Sequence, residues 1–157
     1  MRVFFNFAND TFRWVDVLRF PLPAPPPDDR SCLDLLIRHA WYGTSYTGGE
    51  PGGDPERHGR YKRECITAES FDPIEPDPAE RWLRGWSVQW APLAAAIAEG
   101  LERDVYAPMR AADRVFRLRE LGDQAVHDAG WLLTEFHELV LLDRTAGALL
   151  LVVAAED

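Results

Sequence analysis

Near the C-terminal end two runs, ELVLLD over 138–143 and ALLLVVAA over 148–155, flank Arg144-Thr145-Ala146-Gly147. Aliphatic residues fill both runs, and Gly147 is suited to the left-handed backbone of a tight turn, so the segment is predicted to be a β-hairpin. A strand that is apolar on both faces has no side to give to water. Both strands must therefore be central in a sheet, with each face covered by helices, by another sheet or by a second copy of the chain. Any fold for this sequence has to supply two covering layers.

The other segments are read against that requirement. Residues 2–7 (RVFFNF) and 11–20 (TFRWVDVLRF) predict an N-terminal hairpin about Ala8-Asn9-Asp10. Its second strand puts Phe12, Trp14, Leu18 and Phe20 on one face, and Arg13, Val15, Val17 and Arg19 on the other, which reads as partly wet. PLPAPPP, 21–27, ends that strand as a stiff connector, although Pro23-x-x-Pro26 also fits a polyproline ligand. Ser31 and Asp34 form a capping-box pattern for a helix that presents Leu33, Leu36, Ile37, Ala40 and Trp41 and closes at Gly43 as a left-handed cap. Residues 44–60 are a glycine-rich loop, and 61–71 a short strand. Asp77 as N-cap with Pro78 and Glu80 opens the clearest helix, in which Trp82, Trp86 and Trp90 recur every four residues and Ala94, Ile97 or Ala98, and Leu101 extend the stripe to about Asp104, with a kink or restart at Pro92. Periodicity leaves 110–121 open between helix and strand, and predicts a helix over 123–136. These elements give one α+β domain over 1–157: an antiparallel sheet from the N- and C-terminal hairpins, packed against two to four helices.

Composition bounds the function. The chain has 157 residues, 46% of them hydrophobic, and a formal charge of −9, which repels nucleic-acid phosphates and anionic membranes. Lys62 is the sole lysine, and arginine, alanine, glycine and proline are plentiful, as in proteins of GC-rich bacterial genomes. No apolar run approaches a membrane span, and polar residues such as Asn6, Asn9 and Asp10 interrupt any leader-like start, so the cytoplasm is the expected location. In that compartment Cys32 and Cys65 are expected as free thiols.

Motifs for chemistry are sparse. Gly48-Gly49 and Gly52-Gly53 lack the Lys-Ser/Thr of a phosphate loop and the spacing of a dinucleotide turn, so no cofactor is expected. Arg57, His58, Arg60, Lys62 and Arg63 form the densest basic segment and suit a solvated loop or an acidic ligand. His39, in the last turn of its helix, reads as a dipole-compensating residue. The candidate catalytic group is His127, Asp128, Glu135 and His137, since acid–base chemistry near neutrality needs an imidazole and a carboxylate that orients it. Arg114 and Arg117 are candidates to hold an anionic substrate, and Trp86 and Trp90 to stack on it, with burial of the tryptophan stripe as the competing reading. The histidine spacing matches no zinc motif, so no metal is expected.

Two functions follow as expectations. The first is a small acidic binding or accessory protein engaging a basic partner surface. The second is a small cofactor-independent enzyme acting on an anionic metabolite, with His137 or His127 as acid–base. The double-sided apolar hairpin adds a homodimer closed over Leu149, Leu151 and Val153. Nucleic acid and membrane are not expected partners.

Overall fold

The computed structural model describes residues 1–47 and 50–157. Its chain order is β1 (Arg2–Asn6), β2 (Arg13–Pro21), α1 (Asp29–Arg38), β3 (Arg57–His58), β4 (Tyr61–Lys62), β5 (Phe71–Ile74), α2 (Pro76–Ser87), α3 (Ala95–Leu101), α4 (Ala107–Ala111), β6 (Arg114–Leu118), β7 (Glu135–Asp143) and β8 (Ala148–Glu156). Six of the strands form one antiparallel sheet in the order β1-β2-β8-β7-β6-β5, and β3 and β4 form a small ribbon. The architecture is α+β, as the sequence predicts.

The C-terminal hairpin is central. β8 pairs with β2 from Arg13↔Glu156 to Pro21↔Ala148 and with β7 from Glu135↔Glu156 to Asp143↔Ala148. Its turn uses Gly147 at φ +65°, the left-handed region where a glycine carries no Cβ penalty. On one face Leu149, Leu151 and Val153 pack with Trp14, Phe136 and Val140 beneath Leu33 and Leu36 of α1 and beneath Tyr42, Tyr61, Ile66 and Ala68. On the other, Leu150 and Val152 pack with Val15, Val17 and Leu139 beneath Leu83, Trp86, Leu101 and Met109. Both covering layers come from the chain itself. The apolar surface that motivated a homodimer is therefore closed internally, and Val15 and Val17 lie under the helices rather than on a wet face.

Several local expectations are corrected. Ala8, Asp10 and Phe12 adopt positive φ, so the N-terminal turn is longer than its sequence suggests and Phe12 leaves the core face. Asp28, not Ser31, caps α1 by accepting from the Ser31 N–H at 2.8 Å, because a proline run delivers it in extended conformation. Gly43 is not left-handed; it is required because a Cβ there would meet Asp54 O at 2.7 Å. His39 follows α1 and its Nδ1 accepts from the Trp41 N–H at 3.1 Å, capping a 3-10 turn. Residues 61–71 hold two-residue β4 and two 3-10 turns, with β5 only beginning at Phe71.

The tryptophan helix starts at Pro76 after an N-cap at Glu75 and ends at Ser87. A new helix, α3, starts at Ala95 after the irregular segment that holds Pro92, so of the two alternatives the chain takes the restart and not the kink, and α3 then runs through a π-turn over Glu102–Tyr106 into α4. Glu80 is freed from capping and pairs with Arg84 and Arg110. Residues 114–118 are strand. Residues 123–136 are not a helix: two 3-10 turns precede β7, with Gly130 packed so closely that a Cβ would lie 2.3 Å from Arg60 O. The Gly48-Gly49 pair lies outside the described residues.

Cys32 and Cys65 are free, the former buried in α1 with its thiol pushed up by burial, the latter partly exposed. A thiol reagent is expected to modify Cys65 in the native protein well before Cys32, and both at once after denaturation without reductant. Equal native rates would mean that α1 opens on the time scale of labelling.

Candidate ligand-binding cleft

The β6–β7 ladder runs from Arg114↔Leu142 to Arg117↔Leu139 and stops, whereas β7 continues its pairing with β8 to Glu135. Beyond Arg117 the chain of β6 follows β5 and leaves the edge of β7 uncovered. The gap is a cavity of about 340 Å³ lined by Tyr61, Asp72, Pro73, Ile74, Arg117 to Glu120, Phe136 and His137. Its size lies at the lower end of the range for small-molecule sites.

Strand alternation sends Phe136 and Glu138 toward α1, and Glu135 and His137 toward α2. The His137 ring meets the Trp82 ring edge-on at 4.7 Å and that of Trp86 at 5.9 Å. Its Nε2 lies 3.2 Å from Glu135 Oε1, which also accepts from Trp86 Nε1 at 3.3 Å, while Arg13 Nη2 donates to Glu135 Oε2 at 2.7 Å. Burial acts to raise Glu135, but the hydrogen bonds from His137 and Trp86 and the Arg13 charge outweigh it and hold the carboxyl below the usual range. Burial also pulls His137 below the ordinary imidazole value, against the opposing pull of Glu135. The ring is thus neutral at pH 7. With the carboxylate ionised, Nε2 carries the proton it donates, and Nδ1 carries the lone pair.

Arg117 lies over the Trp82 ring, its guanidinium carbon 4.4 Å from the centroid. Asp72, its cross-strand neighbour, pairs instead with Arg119 at 3.4 Å. Among the described residues no carboxylate lies within ion-pair distance of Arg117. Behind this wall Arg13 is 2% exposed; it binds Glu156 at 2.8 Å and Gln89 at 3.0 Å, donates to the Trp86 carbonyl, and lies 4.4 Å above the Trp86 ring.

Of the residues singled out from the sequence, His137, Glu135, Arg117 and Trp86 come together. His127 does not join them. It is buried, with Nδ1 accepting from the Ala129 N–H at 3.2 Å and Nε2 donating to Gly59 O at 2.6 Å, so both nitrogens are used in holding loops together. Asp128 is exposed beside it. Arg114, at the far end of β6, pairs with Asp29 at 3.0 Å, and Trp90 is exposed in the segment after α2.

Sequence reasoning passed over Arg13, Asp72 and Tyr61 as site residues and reached Trp82 only as a member of the tryptophan stripe. It also missed a polar cluster on the opposite face. There Glu138 accepts from Tyr42 Oη at 2.8 Å and bonds His58 Nε2, His58 Nδ1 lies 2.6 Å from the Tyr42 carbonyl, and the Tyr42 and His58 rings stack at 3.5 Å. Burial and then the Glu138 charge push the Tyr42 hydroxyl far above the phenol range, so it remains a donor. Among the described residues no group of three or more His, Cys, Asp and Glu is arranged to hold a metal ion. No described helix is long and apolar enough to cross a membrane.

No family model and no curated protein matches the chain. Among solved structures it is similar to citrus MAF1, crystallised in space group C 2 2 21, at 7% identity and a TM-score of 0.43, over 96% of this chain and 91% of that one.

Proposed function

We propose that the cleft between β6 and β7 takes a small carboxylate-bearing ligand, with Arg117 as its anchor and His137 as the acid–base group in its wall. The supporting observation is Arg117 itself: a partly buried guanidinium stacked on Trp82 that, among the described residues, has no carboxylate within ion-pair distance. A guanidinium held flat offers paired donors that match a carboxylate. Tyr61, Pro73, Ile74 and Phe136 suit an apolar body on that ligand. His137 is neutral and turned by Glu135, so Nδ1 is a base for a proton on the bound molecule.

Benzoate and inorganic phosphate, titrated while the His137 imidazole and Arg117 Nε resonances are followed by NMR, test this. Benzoate is expected to shift both, and Arg117→Gln to weaken it about 10- to 100-fold, the worth of a charge-assisted pair. Affinity is expected to be flat from pH 7 to 8 and to rise below the ordinary imidazole value of about 6.5, as a protonated His137 joins Arg117 opposite Glu135 and Glu120. His137→Gln should remove that rise. No localised shift up to about 10 mM benzoate, past the weakest specific affinities, would end the proposal.

A further inference from the structure

Five large apolar side chains that the described residues expose, Phe12, Val88, Trp90, Trp131 and Leu132, gather at one end of the sheet. The hydrogen bonds between their segments place them there. Asp157 N donates to Phe12 O at 3.1 Å and Thr134 N to Glu156 O at 2.9 Å. Asn9 Nδ2 donates to Pro92 O at 3.2 Å, and Arg13 Nη2 to Gln89 Oε1 at 3.0 Å. The β1–β2 turn, the α2–α3 segment and residues 130–134 therefore close on the same place, where β2 and β7 begin and β8 finishes.

Phe12 is 72% exposed and Trp90 69%, so folding leaves these rings in water. Phe12 is also held at φ +59°, an uncommon backbone for a bulky residue and one that costs free energy to maintain. Exposed apolar clusters of this kind mark interaction surfaces more often than chance. Charge then selects the partner. Asp10, Asp128 and Asp157 are the exposed carboxylates around the cluster, while Glu135 and Glu156 behind them are paired with the buried Arg13, which leaves Arg60 as the cation nearby. A second copy of the chain would bring the same carboxylates face to face, and phosphate-bearing partners are repelled as well.

We infer that this end of the sheet docks a basic protein segment, whose apolar side chains cover Phe12, Trp90 and Trp131 while its lysines or arginines meet the surrounding carboxylates. The surface is separate from the β6–β7 cleft and does not rest on the carboxylate reading.

Three synthetic peptides test it by titration calorimetry: an amphipathic helix of leucine and lysine, the same helix with glutamate for lysine, and the same with serine for leucine. The leucine–lysine peptide is expected to bind, more weakly as salt rises, and to lose at least about tenfold in affinity to the double variant Phe12→Ser/Trp90→Ser. Both residues are exposed, so that variant should keep the wild-type unfolding midpoint, and Arg117→Gln should bind the peptide like wild type. Equal binding of either control peptide, or undiminished binding by the double variant, would overturn the inference. So would sedimentation showing a dimer that the double variant abolishes, since the occupant would then be a second copy.

Discussion

Replacing Glu138 by alanine is expected to cost about 3 to 5 kcal/mol, the usual loss when one partner of a buried charged or proton-sharing pair is removed. Its carboxylate and the His58 ring are both fully buried, in the middle of the face under α1. His58 Nδ1 donates to the Tyr42 carbonyl, so the second nitrogen and Glu138 Oε1 share one proton whichever atom carries it. Alanine leaves Tyr42 Oη and His58 Nε2 without partners in a dry site. Glutamine is the informative comparison. Its carbonyl can accept from Tyr42 and its amide donate to a neutral His58, so Glu138→Gln should lose less than about 1.5 kcal/mol if hydrogen bonding is what the site requires. Urea denaturation measures both. A glutamine variant as unstable as alanine would show that a full ion pair holds Tyr42 and His58, and with them the ends of the loop, to the sheet.

That cluster also shows why the site was only half legible. His58 read as part of a basic loop segment and Glu138 as the polar start of an apolar strand, 80 residues later. Nothing local to either residue signals the other; β7 brings Glu138 beneath the loop, and only the register does so. Gly59, at φ +58° with the Phe136 ring where a Cβ would stand, is the local device that lets the loop descend that far. The central hairpin was legible because strands apolar on both faces have one solution. The hairpin's coverage was not, since α1 and the irregular segment after it do as much covering as the tryptophan helix.

The cleft follows the same division. Glu135 and His137 lie at i and i+2, which in a strand puts them on one face, but a helical reading of 123–136 separates them. Gly130, packed against Arg60 O and Val126, decides against helix through tertiary contact. Arg117 became readable as a site residue only once β6 was a strand, whose end at the gap beside β7 stacks it on Trp82. Arg13 shows the limit most clearly: an arginine alternating with Val15 reads as half-wet, yet here it organises Glu135, Glu156 and Trp86.

Trp86→Ala is expected to destabilise the fold by about 3 to 5 kcal/mol, as for other buried large aromatics. The side chain is 6% exposed and touches three things that alanine cannot replace. Its ring packs edge-on against Phe7 at 6.0 Å, carries the Arg13 guanidinium on its face, and its Nε1 donates to Glu135. Removing it leaves a cavity between α2 and the sheet and takes one of the donors that hold the Glu135 carboxylate. The loss should therefore be non-additive with Arg13→Met: the guanidinium has no ring to cover once Trp86 is gone, so the double variant should be more stable than the sum of single losses by 0.5 kcal/mol or more, on the order of a contact coupling. Trp82, half-buried and facing Arg117, supplies the contrast. Trp82→Ala should cost less stability than Trp86→Ala but weaken benzoate, whereas a stable Trp86→Ala with less than about 1 kcal/mol lost and weakened benzoate would move the stacking surface of the cleft from Trp82 to Trp86.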